Sequence, residues 1–229
     1  TRSHCDWSSD VCSSDLVLSF VGLLTLIVGF FGFVGGCLIW GASDFGGWTN
    51  IYGAPATLSS FVFNMLMGMS GGMIGAFWYS KGNPFWMMSG GLAGIFICAG
   101  GLDIWYPGFA FLLGVVAGCV IIPANNFLHN TFKIDDCVGA VSIHGVCGCL
   151  GLLAVAFFAT GFPAAGDIPP SNFIGQIVGL VTFWLLGFVP GYVISAIMKA
   201  AGWLRVPDHV QKAGIDKRSE EHTSELQSQ

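Results

Sequence analysis

Six separate runs of mainly apolar residues, each long enough to cross a bilayer, decide what this chain can fold into. The hydrocarbon core of a membrane takes about 20 residues of helix. Backbone N–H and C=O groups find no water at that depth, so each run must close its own hydrogen bonds as a helix. The runs cover roughly Leu16–Trp40, Ala56–Tyr79, Phe85–Leu102, Pro107–Asn126, Cys137–Thr160 and Phe173–Ala200. The third is short and glycine-rich, which predicts that it tilts, breaks or lies deep in the bundle.

Composition agrees with an all-α, polytopic membrane protein. Hydrophobic residues make up 54% of the chain and charged residues 9%, with a mean hydropathy of +0.73, too few charges to cover a soluble particle of this size. The 34 glycines let helices approach closely, and the 20 phenylalanines fill the remaining volume or face lipid. Residues 1–15 and 218–229 are polar, serine-rich and without apolar period, and they read as translated sequencing adapter. Setting them aside leaves a transmembrane domain over 16–200 and a tail over 201–217, with no cleavable signal ahead of the first span and the native N-terminus expected to be missing. Of the remaining cysteines, at 37, 98, 119, 137, 147 and 149, five lie in or beside apolar runs, where thiols are expected to behave as small hydrophobes.

The basic residues alternate between loops. Lys81 falls in the second loop, Lys133 in the fourth, and Lys199, Arg205, Lys212 and Lys217 after the sixth span, whereas loops one, three and five have no Lys or Arg. By the positive-inside rule the even loops, both chain ends and hence the C-terminal tail are cytoplasmic, in a multi-pass protein of the inner or plasma membrane.

One ionisable side chain interrupts the fifth run. In "IDDCVGAVSIHGVCGCLG" (134–151), His144 shares an α-helical face with Ala140, Val141, Cys147, Gly148 and Gly151, nearly all small. An imidazole with such neighbours has space in front of it, which fits a closely packed neighbouring helix and structural hydrogen bonding, or a narrow path through the membrane. The first span carries Leu26, Phe30, Phe33, Cys37 and Trp40 at three- and four-residue steps, a stripe that reads as core or lipid-facing. Its glycines at 29, 32, 35 and 36 predict close packing on the other side. Asp135 and Asp136 stand beside Lys133 at a helix entrance, where a carboxylate caps the first turn, and His129 in the same loop faces water. Phosphate-binding loops, nucleophile elbows and metal-ligand clusters do not occur in the sequence, so neither an enzyme nor a cofactor is expected. Without a basic surface, nucleic acid is not an expected partner.

Several segments together resemble the ammonium transporter family, which includes the Rhesus-type proteins. "DDCVGAVSIHGVCG" is similar to the family's Asp-Asp stretch leading into a helix with a pore histidine, and "GFFGFVGG" to its Trp/Phe-Phe-Gly-Phe-Asn-Ala-Gly helix. "SGGLAG" and "FAFLLGVVAG" resemble the paired glycine-rich helices, and "LRVP…AGID" the tail after the last span. The resemblance implies an eleven-span fold of two inverted halves around a hydrophobic pore, assembled as a homotrimer, with this chain corresponding to the second half plus the last helix, a fragment of a longer product.

It further implies a substrate pathway for ammonium or ammonia. His144 matches the second of two hydrogen-bonded pore histidines, Phe33 one of two stacked gate phenylalanines, and Ala140 and Leu26 pore-lining aliphatic positions. Cys37 stands where a serine commonly hydrogen-bonds incoming ammonium, and a thiol is the weaker donor and acceptor. Val34 replaces an asparagine, "ICAGGLDIWYPG" lacks the usual Thr-Pro, and Asp136 matches the helix-leading carboxylate. The resemblance implies membrane lipid as a partner and a PII-type regulator at the tail, Trp203–Lys217. The alternatives within the same fold are an ammonium-sensing receptor and a Rhesus-type gas channel. A six-span protein complete as written would need a self-contained pore or an antiparallel dimer, and the lopsided basic charge opposes a dual-topology dimer.

Overall fold

The computed structural model describes residues 12–39, 57–134, 136, 138–158 and 172–205, and all of the regular structure there is helical. Six helices follow in order: α1 (Cys12–Ile39), α2 (Leu58–Tyr79), α3 (Pro84–Cys98), α4 (Pro107–Phe127), α5 (Cys147–Phe158) and α6 (Phe173–Ala200). A 3₁₀ turn, Ala99–Gly101, extends α3. Two π-helical turns, Leu128–Phe132 and Val141–Val146, follow α4 and precede α5. Each of the six regions contains a stretch long and apolar enough to cross a membrane. Trp40, Asp135, Cys137, the first and fifth loops, and the tail beyond 205 lie outside the described residues.

Local chemistry sets the helix starts. Thr57 and Ser60 form a reciprocal capping box ahead of α2: the Ser60 amide donates to Thr57 Oγ1 at 3.1 Å and the Thr57 amide to Ser60 Oγ at 3.0 Å. Asn83 Oδ1 accepts the amides of Phe85 and Trp86 at 3.0 and 3.3 Å, with Pro84 at the first helical position of α3. Between them Lys81 and Gly82 take left-handed backbone conformations, φ 57° and 91°, which reverse the chain within a few residues. Pro107 opens α4 in the same way as Pro84 opens α3. The connection before it is pinned by Asn64, a fully buried residue of α2 whose Nδ2 donates to the carbonyls of Leu102 and Trp105, both at 2.7 Å.

The described residues up to Val178 make one compact unit, and its centre is a seam of glycines. A Cβ on Gly72 of α2 would run into the Gly90 carbonyl of α3, and one on Gly71 or Gly75 into the Phe111 or Val115 carbonyl of α4. From the other side, Gly94 of α3 and Gly114 of α4 both meet the Gly68 carbonyl, and Gly118 meets that of Gly72. The three backbones therefore touch, as small-xxx-small patterns permit in a bilayer, where lipid supplies no hydrophobic drive and close van der Waals packing holds helices together. Around this seam pack Phe61, Met65, Ile97, Trp105 and Ile121, all at 1% exposure or less.

The glycine-rich third span does lie deep: 56% of its spanning window is buried, against 17% for α1. The expected close packing through the α1 glycines is not found. Gly35 alone of the four approaches a neighbour, Leu58 at 3.6 Å, while a Cβ at Gly29, Gly32 or Gly36 would meet nothing within 4 Å. The physical reason is which stripe α1 turns inward. Leu23, Ile27, Phe30, Phe31 and Val34, at helical spacing, pack against the core, and the glycine side is left open.

The second unit begins at Gly179 and comprises, among described residues, most of α6 and the turn that ends it. At 28 residues α6 is about 42 Å long, more than the hydrocarbon thickness, so it crosses with tilt. Pro190 lies inside it, and Gly202 at φ 75° closes its C-terminus.

Candidate functional site

The entrance to α5 is organised by one carboxylate. Asp136 Oδ1 accepts the Ala140 amide at 2.7 Å, and Oδ2 accepts those of Val141 at 2.8 Å and Ser142 at 3.4 Å. These are amides that a helix start leaves without partners, and a carboxylate there also suits the positive end of the helix. Gly139 takes φ 70°, its amide bonding back to the Asp136 carbonyl at 3.0 Å. Ser142, fully buried, donates its hydroxyl to the Gly139 carbonyl at 2.9 Å. The expected capping role of Asp136 is thus visible as geometry.

From this clamp the chain enters the π turn Val141–Val146, whose signature is the Cys147 amide reaching the Ser142 carbonyl five residues back. The wider turn changes the face that the sequence predicts for His144. Cys147 is fully buried, and Gly151 packs on the Ile97 carbonyl, so neither shares an open surface with the histidine. His144 is exposed, Ala140 half-buried, and Gly148 has nothing within 4 Å of its Cβ position. Space in front of the imidazole is real, although it is bounded by different residues from those expected.

The histidine and the α1 residues meet through phenylalanines. The Phe96 ring of α3 contacts the His144 ring with centroids 4.1 Å apart and planes at 62°. On its other side Phe96 meets Phe30 edge to face, 5.0 Å and 86°, and Phe30 meets Phe33 at 6.4 Å and 85°. Phe33, at 70% exposure, and Leu26, at 50%, stand on an open strip of α1 beside its core stripe. The single stripe expected on α1 is therefore divided, with Phe30 turned inward. Leu26 also borders a cavity of about 220 Å³ lined by Met88, Ser89 and Leu92 of α3 and by Ile143 of the π turn. Cys37 is exposed and its thiol donates to the Phe33 carbonyl one turn back, at 3.5 Å.

His144, Ala140, Phe33, Leu26 and Cys37 thus come from two elements far apart in the chain. Aromatic packing connects Phe33 to His144, and the cavity joins Leu26 to Ile143, the residue next to His144. Phe96 was not among the sequence candidates, and a phenylalanine in a glycine-rich helix carries no local signal of its partner. Among the described residues no group of three or more His, Cys, Asp or Glu side chains could hold a metal, and Cys37, Cys98, Cys119, Cys147 and Cys149 are free thiols.

The model of the Ammonium Transporter Family matches residues 6–225, nearly the whole chain. The chain belongs to the ammonium transporter family. Among the similar proteins are ammonium transporter Amt1 of Haloferax mediterranei, 28% identical over 91% of this chain and 40% of its own length, and Amt2 of the same organism, 29% identical over 94% and 48%. Amt1 of Methanocaldococcus jannaschii is 28% identical over 69% of this chain and 40% of its own length. A solved structure titled Sensor Amt Protein superposes with a TM-score of 0.70 at 25% identity, covering 87% of this chain and 48% of that one. The chain of this family member therefore spans less than half the length of these relatives.

Proposed function

We propose that this chain supplies one wall of a path by which ammonium nitrogen crosses the membrane, with His144 as the polar contact midway and Phe33, Leu26 and Ala140 as its apolar lining. The observation that carries the reading is an exposed imidazole at the open side of an otherwise apolar bundle, joined by aromatic packing to an exposed phenylalanine on another helix. Among the described residues no hydrogen bond reaches the imidazole.

The chemistry follows from desolvation. Ammonium must shed water to enter, and an aromatic face repays part of that loss through cation–π attraction of about 1–2 kcal/mol. In an apolar passage the charged form is disfavoured, and ammonium gives up its proton to water at the entrance. Neutral ammonia then crosses the dry stretch by exchanging hydrogen bonds, for which a neutral imidazole offers one donor and one acceptor. On this reading the second ring nitrogen of His144 is held by a histidine from an inverted half. The working molecule is a homotrimer with its C-terminus in the cytoplasm, where the tail Trp203–Lys217 meets a PII-type regulator.

The test is His144→Ala in the full reading frame, expressed in cells without ammonium transporters of their own. Methylammonium uptake should be abolished or altered in selectivity while the assembly keeps its size; uptake and selectivity identical to the parent would refute the pathway role. The similarity to a solved sensor Amt protein suggests a second reading, a receptor of the same fold. Parent protein that reaches the membrane and binds ammonium without moving it would establish that reading instead.

A further inference from the structure

We infer that Phe96 is a positioning residue for His144, holding the imidazole from the α3 side so that both of its nitrogens remain free for polar partners. The inference rests on the pathway reading above and adds to it the part that fixes the ring. It starts from what the histidine's own segment lacks. Ala140, Gly145 and Gly148, three of the residues around His144, offer at most a methyl group, and the Cβ position of Gly148 is open. The terminal side-chain torsion of an imidazole is broad by nature, so its orientation is set by what packs on the ring. The described residues give the ring no hydrogen bond.

The contact that does restrain it comes across the bundle, from Phe96 at 4.1 Å between centroids. Phe96 is itself held. It sits on α3, the most deeply buried helix of its unit, packs partly buried against the core, and is braced edge to face by Phe30 at 5.0 Å. A phenyl ring is well suited to this task because it fixes a neighbouring ring by shape and quadrupole, yet has no donor or acceptor to occupy Nδ1 or Nε2. The brace through Phe30 also ties the orientation of the histidine to the helix that carries Phe33.

Two measurements test this on the full reading frame. In the unsubstituted protein labelled at His and Phe, magic-angle-spinning NMR in lipid should show ring-to-ring cross-peaks between His144 and Phe96; their absence overturns the inference whatever any variant does. In Phe96→Leu the ring ¹⁵N signals of His144 should broaden or split into more than one population. Methylammonium uptake should fall roughly three- to tenfold, the factor that losing one aromatic pair implies, and Phe96→Tyr, which keeps the ring, should restore most of it. Uptake that falls while the His144 signals stay single and unmoved would make Phe96 ordinary packing and overturn the positioning role. So would signals and uptake both unchanged. A failure of the pathway reading is separately visible, since His144→Ala would then leave uptake intact while the cross-peaks still report whether Phe96 holds the ring.

Discussion

The thiol of Cys37 has one hydrogen, and it is given to the Phe33 carbonyl a turn below, 3.5 Å away. Toward the open side it presents only sulfur lone pairs, which accept hydrogen bonds weakly. A serine at this position would keep the bond to its own helix and offer oxygen lone pairs to an arriving cation. Cys37→Ser is therefore expected to strengthen recruitment by about 1 kcal/mol, roughly a fivefold lower KM for methylammonium with little change in the maximal rate. Concentration-dependent uptake checks it, and an unchanged KM would show that Cys37 does not meet the substrate. Asp136 makes the complementary point about how far single residues can be read. A carboxylate just ahead of an apolar helical run suffices to predict a cap, and the cap is there. That it would hold three successive amides, and that Gly139 would turn left-handed to allow this, depends on backbone detail with no signature in residue types.

Among elements, the glycine seam and the π turn differ in how visible they are beforehand. Helix positions follow from apolar length, while the starts fixed by Thr57, Asn83 and two prolines come into view with the structure. Depth in the bundle is hinted at by the glycines of α3, since only a central helix needs close approach on several sides. The same inference fails for α1, where glycine reports only that approach is possible; the side that faces the core is chosen by Leu23, Ile27 and their neighbours. The π turn at His144 and the pairing of His144 with Phe96 escape sequence reasoning for another reason. One is a single extra residue in a run of small side chains, and the other a contact made only after distant helices dock. The seam makes a sharp prediction of its own. Gly72→Ala places a methyl group into the Gly90 carbonyl, which is backbone and cannot swing away. Relief requires moving α2 from α3, at a cost of about 1–3 kcal/mol. Thermal unfolding in mild detergent should show a clearly lowered midpoint, and a midpoint equal to that of the parent would mean the helices are not in backbone contact.

For the molecule as a whole, orientation is the property most open to a direct check. Lys81 and Lys133 occupy left-handed turn positions at the ends of spans, on loops assigned to the cytoplasm by charge alone. Single cysteines replacing each, in a background with the native cysteines changed to alanine, should react with a membrane-impermeant maleimide in inside-out vesicles and stay unlabelled in intact cells. Labelling from outside would invert the topology. The glycine seam has a further bearing, on how the protein is made. All of its contacts lie within Gly68–Gly118, on three helices that follow one another without interruption. A nascent chain therefore delivers a complete docking core to the membrane ahead of the segment that bears His144, which joins a scaffold already able to close.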